Sequence, residues 1–431
     1  MTHVHDLVGV GIGPFNLGLA ALADGAPDID ARFLERETDF RWHPGLLLQG
    51  TRLQVPFLAD LVTLIDPTSR WSLLAYLHAH ERLFPFYFAE RFHVPRREYD
   101  DYCRWVAHSL ASCSFGVDVL EIAWDTTAGA FAVHTRHGEA LAERLLSRNV
   151  VLGIGTEPSV PVALRALLGH GAIHAADYLD HRDRLLAAVD VTVVGSGQSG
   201  AEVFLDLLRA APAGRRLRWL TRTPAFAPME YSKLGLEHFT PAYTDYFRDL
   251  PGDARSDLLA RQWQLYKAIS ADTIADIHEL LYERGIGGSW PEQIELRPCT
   301  AVESAHHDRD SLLLRCHERH QDRRFELRTD AVVLATGYAP RDPACLEPLN
   351  GLLRRGPDRQ LVIDELNRVA LAPEVTGRLY VQNAELHTHG VGAPDLGLGA
   401  HRSAMILNDI AGRTVHSLPR RTAFTSFGAP A

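Results

Sequence analysis

Two short stretches limit what this chain can fold into: VGVGIGPFNLG at residues 8–18 and VVGSGQSGAE at 193–202. Each is an apolar strand that meets glycines and runs on into a helical pattern. Glycine is needed in such a turn because the backbone must bend tightly and approach a pyrophosphate closely. The free N–H groups and dipole of the following helix then attract the phosphates. In the first turn Gly9, Gly11 and Gly13 make the bend, and Pro14 suits a first helical position, where a missing N–H costs nothing. The next strand, DARFLERE (30–37), brings Glu35 roughly to where an acid binds an adenosine ribose hydroxyl. In the second turn Gly195, Gly197 and Gly200 complete a G-x-G-x-x-G pattern, with Gln198 and Ser199 between them. Ala201, Phe204 and Leu208 recur behind it at helical spacing. The strand that follows, RLRWLTR, ends in Thr221–Arg222 and not in an acid. An acid there favours NAD, whereas an arginine pairs with a 2′-phosphate. NADPH is the expected reductant, unless Arg222 is simply a solvated arginine.

Further strands read at RNVVLGIGTEPSVP (148–161), DAVVLATGYAP (330–340) and RLYVQNA (378–384). Strands alternating with helical stretches imply parallel sheets. The expected fold is an α/β flavoprotein with two dinucleotide-binding domains, a Rossmann-like FAD domain and an inserted NADPH domain. The N-terminal turn, closed by the late strands at LATGY (Thr336, Gly337, Tyr338) and YVQNA, is expected to hold FAD. The expected division is 1–160 with 330–431 for FAD and 161–225 with 290–329 for NADPH, leaving a helical, aromatic substrate-binding region at 226–289.

Disulfide reductases share this layout but need a redox cysteine pair. Cys103, Cys113, Cys299, Cys316 and Cys345 are scattered, with no C-x-x-C, which argues against that class, a disulfide framework and a structural zinc site. His387 and His389 in LHTHG look like a metal pair, but they alternate across an expected strand end with no third ligand. HERH (317–320) reads as a solvated turn, and no metal is expected. The formal net charge is −10 without a basic arm, so nucleic acid is not an expected partner. No apolar stretch approaches ~18 uncharged residues, so no membrane span is expected. The chain enters a strand at Val4 without a signal-peptide n-region, and its cysteine usage fits a reducing cytoplasm.

Beyond these turns the chain resembles the flavin-dependent N-hydroxylating monooxygenases of siderophore biosynthesis, the ornithine/lysine N-monooxygenase group. GIGPFNLGLA, WHPGLLLQ, LQVPFLADLVTLIDPTS, RREYDDYCRW, GSGQSGAE, ATGY and LHTHGVGAPDLGLGAHRSAMILN carry the resemblance, and HAADY (174–178) is similar to a worn form of a class B flavin monooxygenase motif. The resemblance implies that NADPH reduces FAD, O2 adds to give a C4a-hydroperoxyflavin, and a neutral primary amine attacks its distal oxygen. Hydroxylamine, water and NADP⁺ result. It implies that Trp42, His43 and Gln54 line the flavin, that Arg96 lies near flavin and nicotinamide, and that Leu396 and Gly397 offer backbone carbonyls to the reacting amine. It also implies a homodimer or homotetramer. A hydrogen peroxide-producing NADPH oxidase and a non-catalytic cofactor-binding sensor remain as other readings.

The substrate expectation rests on what is missing. Amino-acid hydroxylases of this group carry a lysine in the middle of FLxDL and two asparagines that meet the substrate carboxylate. Here those positions read Ala59, Leu236 and Ser270. A carboxylate buried without such partners costs several kcal/mol. The expected substrate is therefore an aliphatic diamine such as putrescine, cadaverine or 1,3-diaminopropane, with Glu237 and Asp272 as candidate partners of its distal ammonium. Lysine or ornithine stays open if Lys233 replaces the missing cation.

Overall fold

The structure is a computed structural model and describes residues 3–138, 143–210, 214–287, 292–341, 343–356 and 358–430. The expected domain boundary at 289/290 lies outside the described residues. The first sheet takes β1 (Val4–Val10), β2 (Ala31–Glu35), β3 (Cys113–Phe115), β4 (Val117–Asp125), β5 (Ala130–His137) and β6 (Glu143–Leu152). After a short β7 (Thr156–Pro158), the second sheet takes β8 (Ala172–His174), β9 (Asp190–Val194), β10 (Arg216–Leu220) and β11 (Ile294–Arg297). An antiparallel meander follows: β12 (Thr300–Asp308), β13 (Ser311–Glu318) and β14 (Arg323–Thr329). Then come β15 (Ala331–Leu334), β16 (Tyr338–Pro340) and β17 (Arg378–Val381).

Among the described residues the first sheet runs β3-β2-β1-β6-β5-β4, with β17 also pairing β6. Its β1, β2, β3, β6 and β17 are parallel, and β4–β6 form an antiparallel meander. Strand β1 has Leu7, Val8 and Val10 buried in succession. Such a run, without alternation, is what a parallel strand covered on both faces requires. Helices Pro14–Ala23, Arg96–Ser109 and Gly399–Ala411 cover one face, and Leu346, Leu349, Leu353, Ile363 and Val369 cover the other.

The second sheet runs β11-β10-β9-β15-β8. Strand β15 therefore closes the second sheet, pairing parallel with β8 and β9. This corrects the expectation that residues from 330 rejoin the FAD unit. An apolar strand ending in glycine looks alike in either sheet, and only pairing distinguishes them. The return to the first sheet comes later, with β17 on β6, after β16 and β7 pair as a separate two-stranded sheet.

The 226–289 region also divides. Helix Ala271–Arg284 lays Ile277 on the second sheet's core beside Phe204 and Trp219. Helices Pro241–Arg248 and Gly252–Arg261 instead pack with Val391 in a separate core around Tyr243 and Phe247.

One fully buried side chain ties the first unit together. The Asn16 amide donates to the carbonyls of Val10 (3.1 Å) and Gly11 (2.9 Å), and its oxygen accepts from Gln382 Nε2 (2.9 Å), just beyond β17. A Cβ on Gly153, after β6, would collide with this amide. Replacing Asn16 by alanine leaves buried polar groups unpaired, at about 1–3 kcal/mol. Thermal unfolding of Asn16→Ala is expected several degrees below wild type, with weakened FAD retention.

Candidate active site between the two nucleotide sheets

The two glycine turns use their glycines for different purposes. Gly11 has φ +84°, and a Cβ on it would lie 2.6 Å from the Gly153 carbonyl. It permits β1 and β6 to approach backbone to backbone. Gly9 packs under the Phe33 ring, where a Cβ would collide with it. Gly13 is the open one: a Cβ there would meet only Gly153 O at 3.8 Å. It caps helix Pro14–Ala23 with no side-chain hydrogen bond, so the first-turn N–H groups remain available to an anion. Glu35 accepts from the N–H of Ile12 (2.9 Å) and Glu37 (3.0 Å), beside this turn. The crevice thus fits a pyrophosphate and its ribose.

The second turn repeats the division. Gly195, at φ +121°, and Gly200 are packed too closely for a side chain, against Ala335 O and Gly195 O respectively. Gly197 is freer, with Lys267 O 3.4 Å from its ideal Cβ. Ser199 follows, half-buried, in the first turn of helix Gln198–Ala210. Around the end of β10, Thr221 Oγ1 donates to Ser196 Oγ (2.7 Å), and Thr223 Oγ1 lies within 3.0 Å of both. Arg222 is exposed beside these hydroxyls. One cation and three hydroxyls suit a phosphate. The hydroxyl cluster escapes sequence reading because Ser196 and Thr223 are 27 residues apart.

Between the turns the two units touch through polar groups. Gln198 Oε1 accepts from Gln54 Nε2 (3.1 Å) and from the Ser270 N–H (2.8 Å), and its amide nitrogen donates to Glu202 (2.8 Å) and Thr273 (3.0 Å). Arg96, first in its helix, donates to buried Glu202 at 2.8 Å. The His43 ring is accessible to solvent yet deep among protein atoms, as expected for a cleft wall. That desolvation, aided by the Arg96 charge, lowers its pKa to about 4, so the ring is neutral near pH 7. It lies edge-on to Trp42 (5.0 Å) and Tyr338 (5.8 Å). Tyr338 also faces His174 of the HAADY segment at 5.4 Å, and its hydroxyl is buried without a partner. Gly337 accepts from the Ser159 N–H (2.9 Å), while Thr336 donates to the Ser159 carbonyl. Trp42, His43, Gln54, Arg96, Gln198 and Tyr338 are therefore joined in one chain of contacts.

Residues 395–398 form a short turn beside Ala59. An ideal Cβ on Gly397 would sit 3.8 Å from Ala59 Cβ, 2.7 Å from Asp395 Oδ1. Asp395 accepts from the Gly397 N–H (2.8 Å), and burial raises its pKa to about 6 against that bond and the Arg402 charge. It escapes sequence reading because D-x-G looks like an ordinary turn cap. Leu396 packs on the first unit's core, and Gly399 abuts Phe15 of the first turn's helix. Arg402, paired with Glu385, donates to Ala393 O (3.0 Å) and steadies the segment.

Other expected substrate contacts fall elsewhere. The Glu237 carboxylate accepts from the N–H groups of Phe424 (3.0 Å) and Thr425 (2.8 Å), pinning the C-terminal segment, and so is not free for a ligand. Ser270 caps helix Ala271–Arg284 through Thr273 N (3.3 Å). Leu236 is half-buried in a short turn, and Asp272 is exposed. Asp272 and Lys233 both act electrostatically on His93, whose ring meets the Tyr231 hydroxyl at 2.7 Å. That hydroxyl donates to Gln54 O at 2.9 Å. His387 and His389 occupy a helical turn, not a strand end, and contact Leu361 O and Thr388 Oγ1.

A family model described as L-lysine 6-monooxygenase/L-ornithine 5-monooxygenase matches residues 3–340. The chain belongs to this family. It is a flavin-dependent N-hydroxylating monooxygenase that uses FAD and NADPH. It is 43% identical to the rhizobactin siderophore biosynthesis protein RhbE of Rhizobium meliloti over 99% of this chain and 95% of that protein. It is 40% identical to a putrescine N-hydroxylase of Shewanella oneidensis, over 98% and 84%. A solved FAD-bound cadaverine monooxygenase of the desferrioxamine pathway, DfoA from Erwinia amylovora, superimposes with a TM-score of 0.96 at 35% identity, covering both chains fully.

The open and closed glycines are expected to separate on substitution. Gly13→Val should fold but lose FAD, read as lost flavin absorbance. Gly197→Val should stay yellow and be reduced slowly by NADPH, and Arg222→Ala should raise KM for NADPH with little change for NADH. A Gly11→Val chain should instead fail to fold, since its side chain meets backbone and not ligand.

Proposed function

We propose that this enzyme N-hydroxylates a short aliphatic diamine in hydroxamate siderophore assembly. The observation that carries the reading is the turn at residues 395–398, where neighbouring Ala59 offers no cation and Asp395 offers a carboxylate. An α-carboxylate entering there meets like charge, whereas an ammonium meets its opposite. The two relatives named for putrescine and cadaverine support the same class.

When bound, reduced FAD supplies the activated oxygen, with NADPH as the source of hydride. The chain's own groups bring the amine to it. A free alkylamine has a pKa near ~10.4, and only its neutral form carries a lone pair. A water-excluded position beside the cofactor favours that form. The Leu396 and Gly397 carbonyls accept the amine N–H groups and leave the lone pair free to attack. Asp395 takes the distal ammonium. Gln54, His43 and Arg96 line the cofactor side, where neutral His43 adds no charge.

The assay is hydroxylamine formation from putrescine, cadaverine, 1,3-diaminopropane, lysine and ornithine at equal concentration. A diamine is expected to lead; lysine or ornithine in the lead would reject the reading and point to Lys233. Asp395→Asn should raise the diamine KM about thirtyfold, the effect of removing one partner of a desolvated pair at about 2 kcal/mol. In the wild type, KM should rise as pH falls through about 6, where Asp395 protonates while the substrate stays cationic. The Asn variant should lack that limb.

We also read the chain as a cytoplasmic homo-oligomer, dimer or tetramer. Among the described residues, no helix is long and apolar enough to cross a membrane. Helix Leu83–Ala89 has no buried residue and exposes Phe84, Tyr87 and Phe88 by more than two-thirds each. Such an aromatic face suits self-association, and light scattering of the holoenzyme should give a mass above the monomer's.

A further inference from the structure

Away from the cleft, the turn between β11 and β12 faces the turn between β13 and β14. Cys299 lies in the first, His320 in the second, and Glu318 ends β13 beside it. One ligand atom from each comes within 4.8 Å of the others. We infer that Cys299, Glu318 and His320 form a zinc site on the outer edge of the NADPH unit.

The backbone holds these groups in place. Cys299 adopts φ +56°, a left-handed conformation that costs a side-chain-bearing residue free energy. Two hydrogen bonds impose it: its N–H donates to Thr223 O (2.8 Å), and its carbonyl accepts from the Arg319 N–H (2.9 Å). The second bond ties the cysteine to the turn that carries the other two ligands. The Cys299 thiol is buried, and both His320 ring nitrogens approach its sulfur, at 3.3 and 3.7 Å. Glu318 is oriented by the Gln321 N–H, which donates to one of its oxygens at 2.6 Å. Neighbouring His317 is engaged otherwise, between Glu303 (3.2 Å) and Asp322 (2.8 Å).

The donor set selects the ion. One thiolate, one imidazole and one carboxylate suit the borderline-soft Zn²⁺ and not Mg²⁺ or Ca²⁺, which prefer oxygen. Zinc bonds of about 2.0–2.3 Å in a tetrahedron place ligand atoms a little over 3 Å apart. Small rotations of His320 and Glu318 reach that spacing, and both are partly open to solvent. A fourth position faces outward for water. The thiol proton leaves to solvent as the metal binds. Since Cys299 bonds Thr223, an occupied site would also brace the hydroxyl cluster beside Arg222.

The test is zinc binding to tag-free, FAD-loaded enzyme, chelator-treated and reduced, in a His3→Ala/His5→Ala background. That background removes the His3–His5–Asp30 cluster, which also has metal-ligand spacing. Titration calorimetry and elemental analysis should give one zinc per chain. Cys299→Ser and His320→Gln should each weaken binding by at least about tenfold, the loss seen when even a group that only orients a ligand is removed. His320→Gln changes an exposed residue and should fold if Cys299→Ser does not. No bound zinc, or equal binding by wild type and both variants, would overturn the site.

Discussion

The Asn16 carboxamide occupies the point where β1, β6 and β17 end together. Three parallel strands can finish at one place only if their carbonyls find donors and their backbones can touch. Asn16 supplies the donors, and Gly11 and Gly153 remove the side chains that would keep the chains apart. Gln382 answers from the far end of the sequence and closes the unit, so the first and last parts of the chain meet at one buried amide. The phosphate-facing turn is the outer surface of that junction. Gly13 can remain open because Gly11, two residues earlier, is packed shut.

The contact between the two nucleotide units is polar where the cores are apolar. Gln54 meets Gln198, and Arg96 meets Glu202, with both charged side chains largely withdrawn from water. A buried ion pair adds little net stability over an apolar contact, because desolvation offsets the attraction. Burial indeed raises the Glu202 pKa even with Arg96 beside it. What such a pair provides is position. It fixes a guanidinium beside His43, where its charge adds to the burial that keeps the imidazole neutral.

Much of the fold can be read from the residues because parallel strands buried on both faces leave unbroken apolar runs. Strands at 4–10, 31–35 and 190–194 stand where such runs end in glycine or an acid, and that at 378–381 where one meets Gln382–Asn383. The antiparallel strands at 117–137 and 300–329 are harder to see. Their exposed and buried residues alternate irregularly, and bulges near Val119 and Val302 break the period. Pairing is invisible as well, which is why β15 reads as part of the wrong sheet. At the site, backbone-defined residues such as Gly13 and Gly197 are legible because a turn demands them. Groups that depend on assembly are not: Ser196, Thr221 and Thr223 meet only after β9 and β10 pair.

The same distinction governs substrate choice. Absence is legible in one dimension: Ala59 in FLADL shows at once that a cation is missing. The compensating group is legible only in three. Asp395 sits in a turn sequence where aspartate commonly caps the backbone, and it does cap Gly397. Glu237 and Asp272 look as good on paper. Folding separates the three, since the C-terminal segment engages Glu237, solvent surrounds Asp272, and the protein closes around Asp395. Burial raises the Asp395 pKa although the Gly397 and Leu398 backbone N–H groups face it. Under the proposed function an incoming ammonium is a further partner, and binding it would recover part of the free energy that desolvating the acid costs.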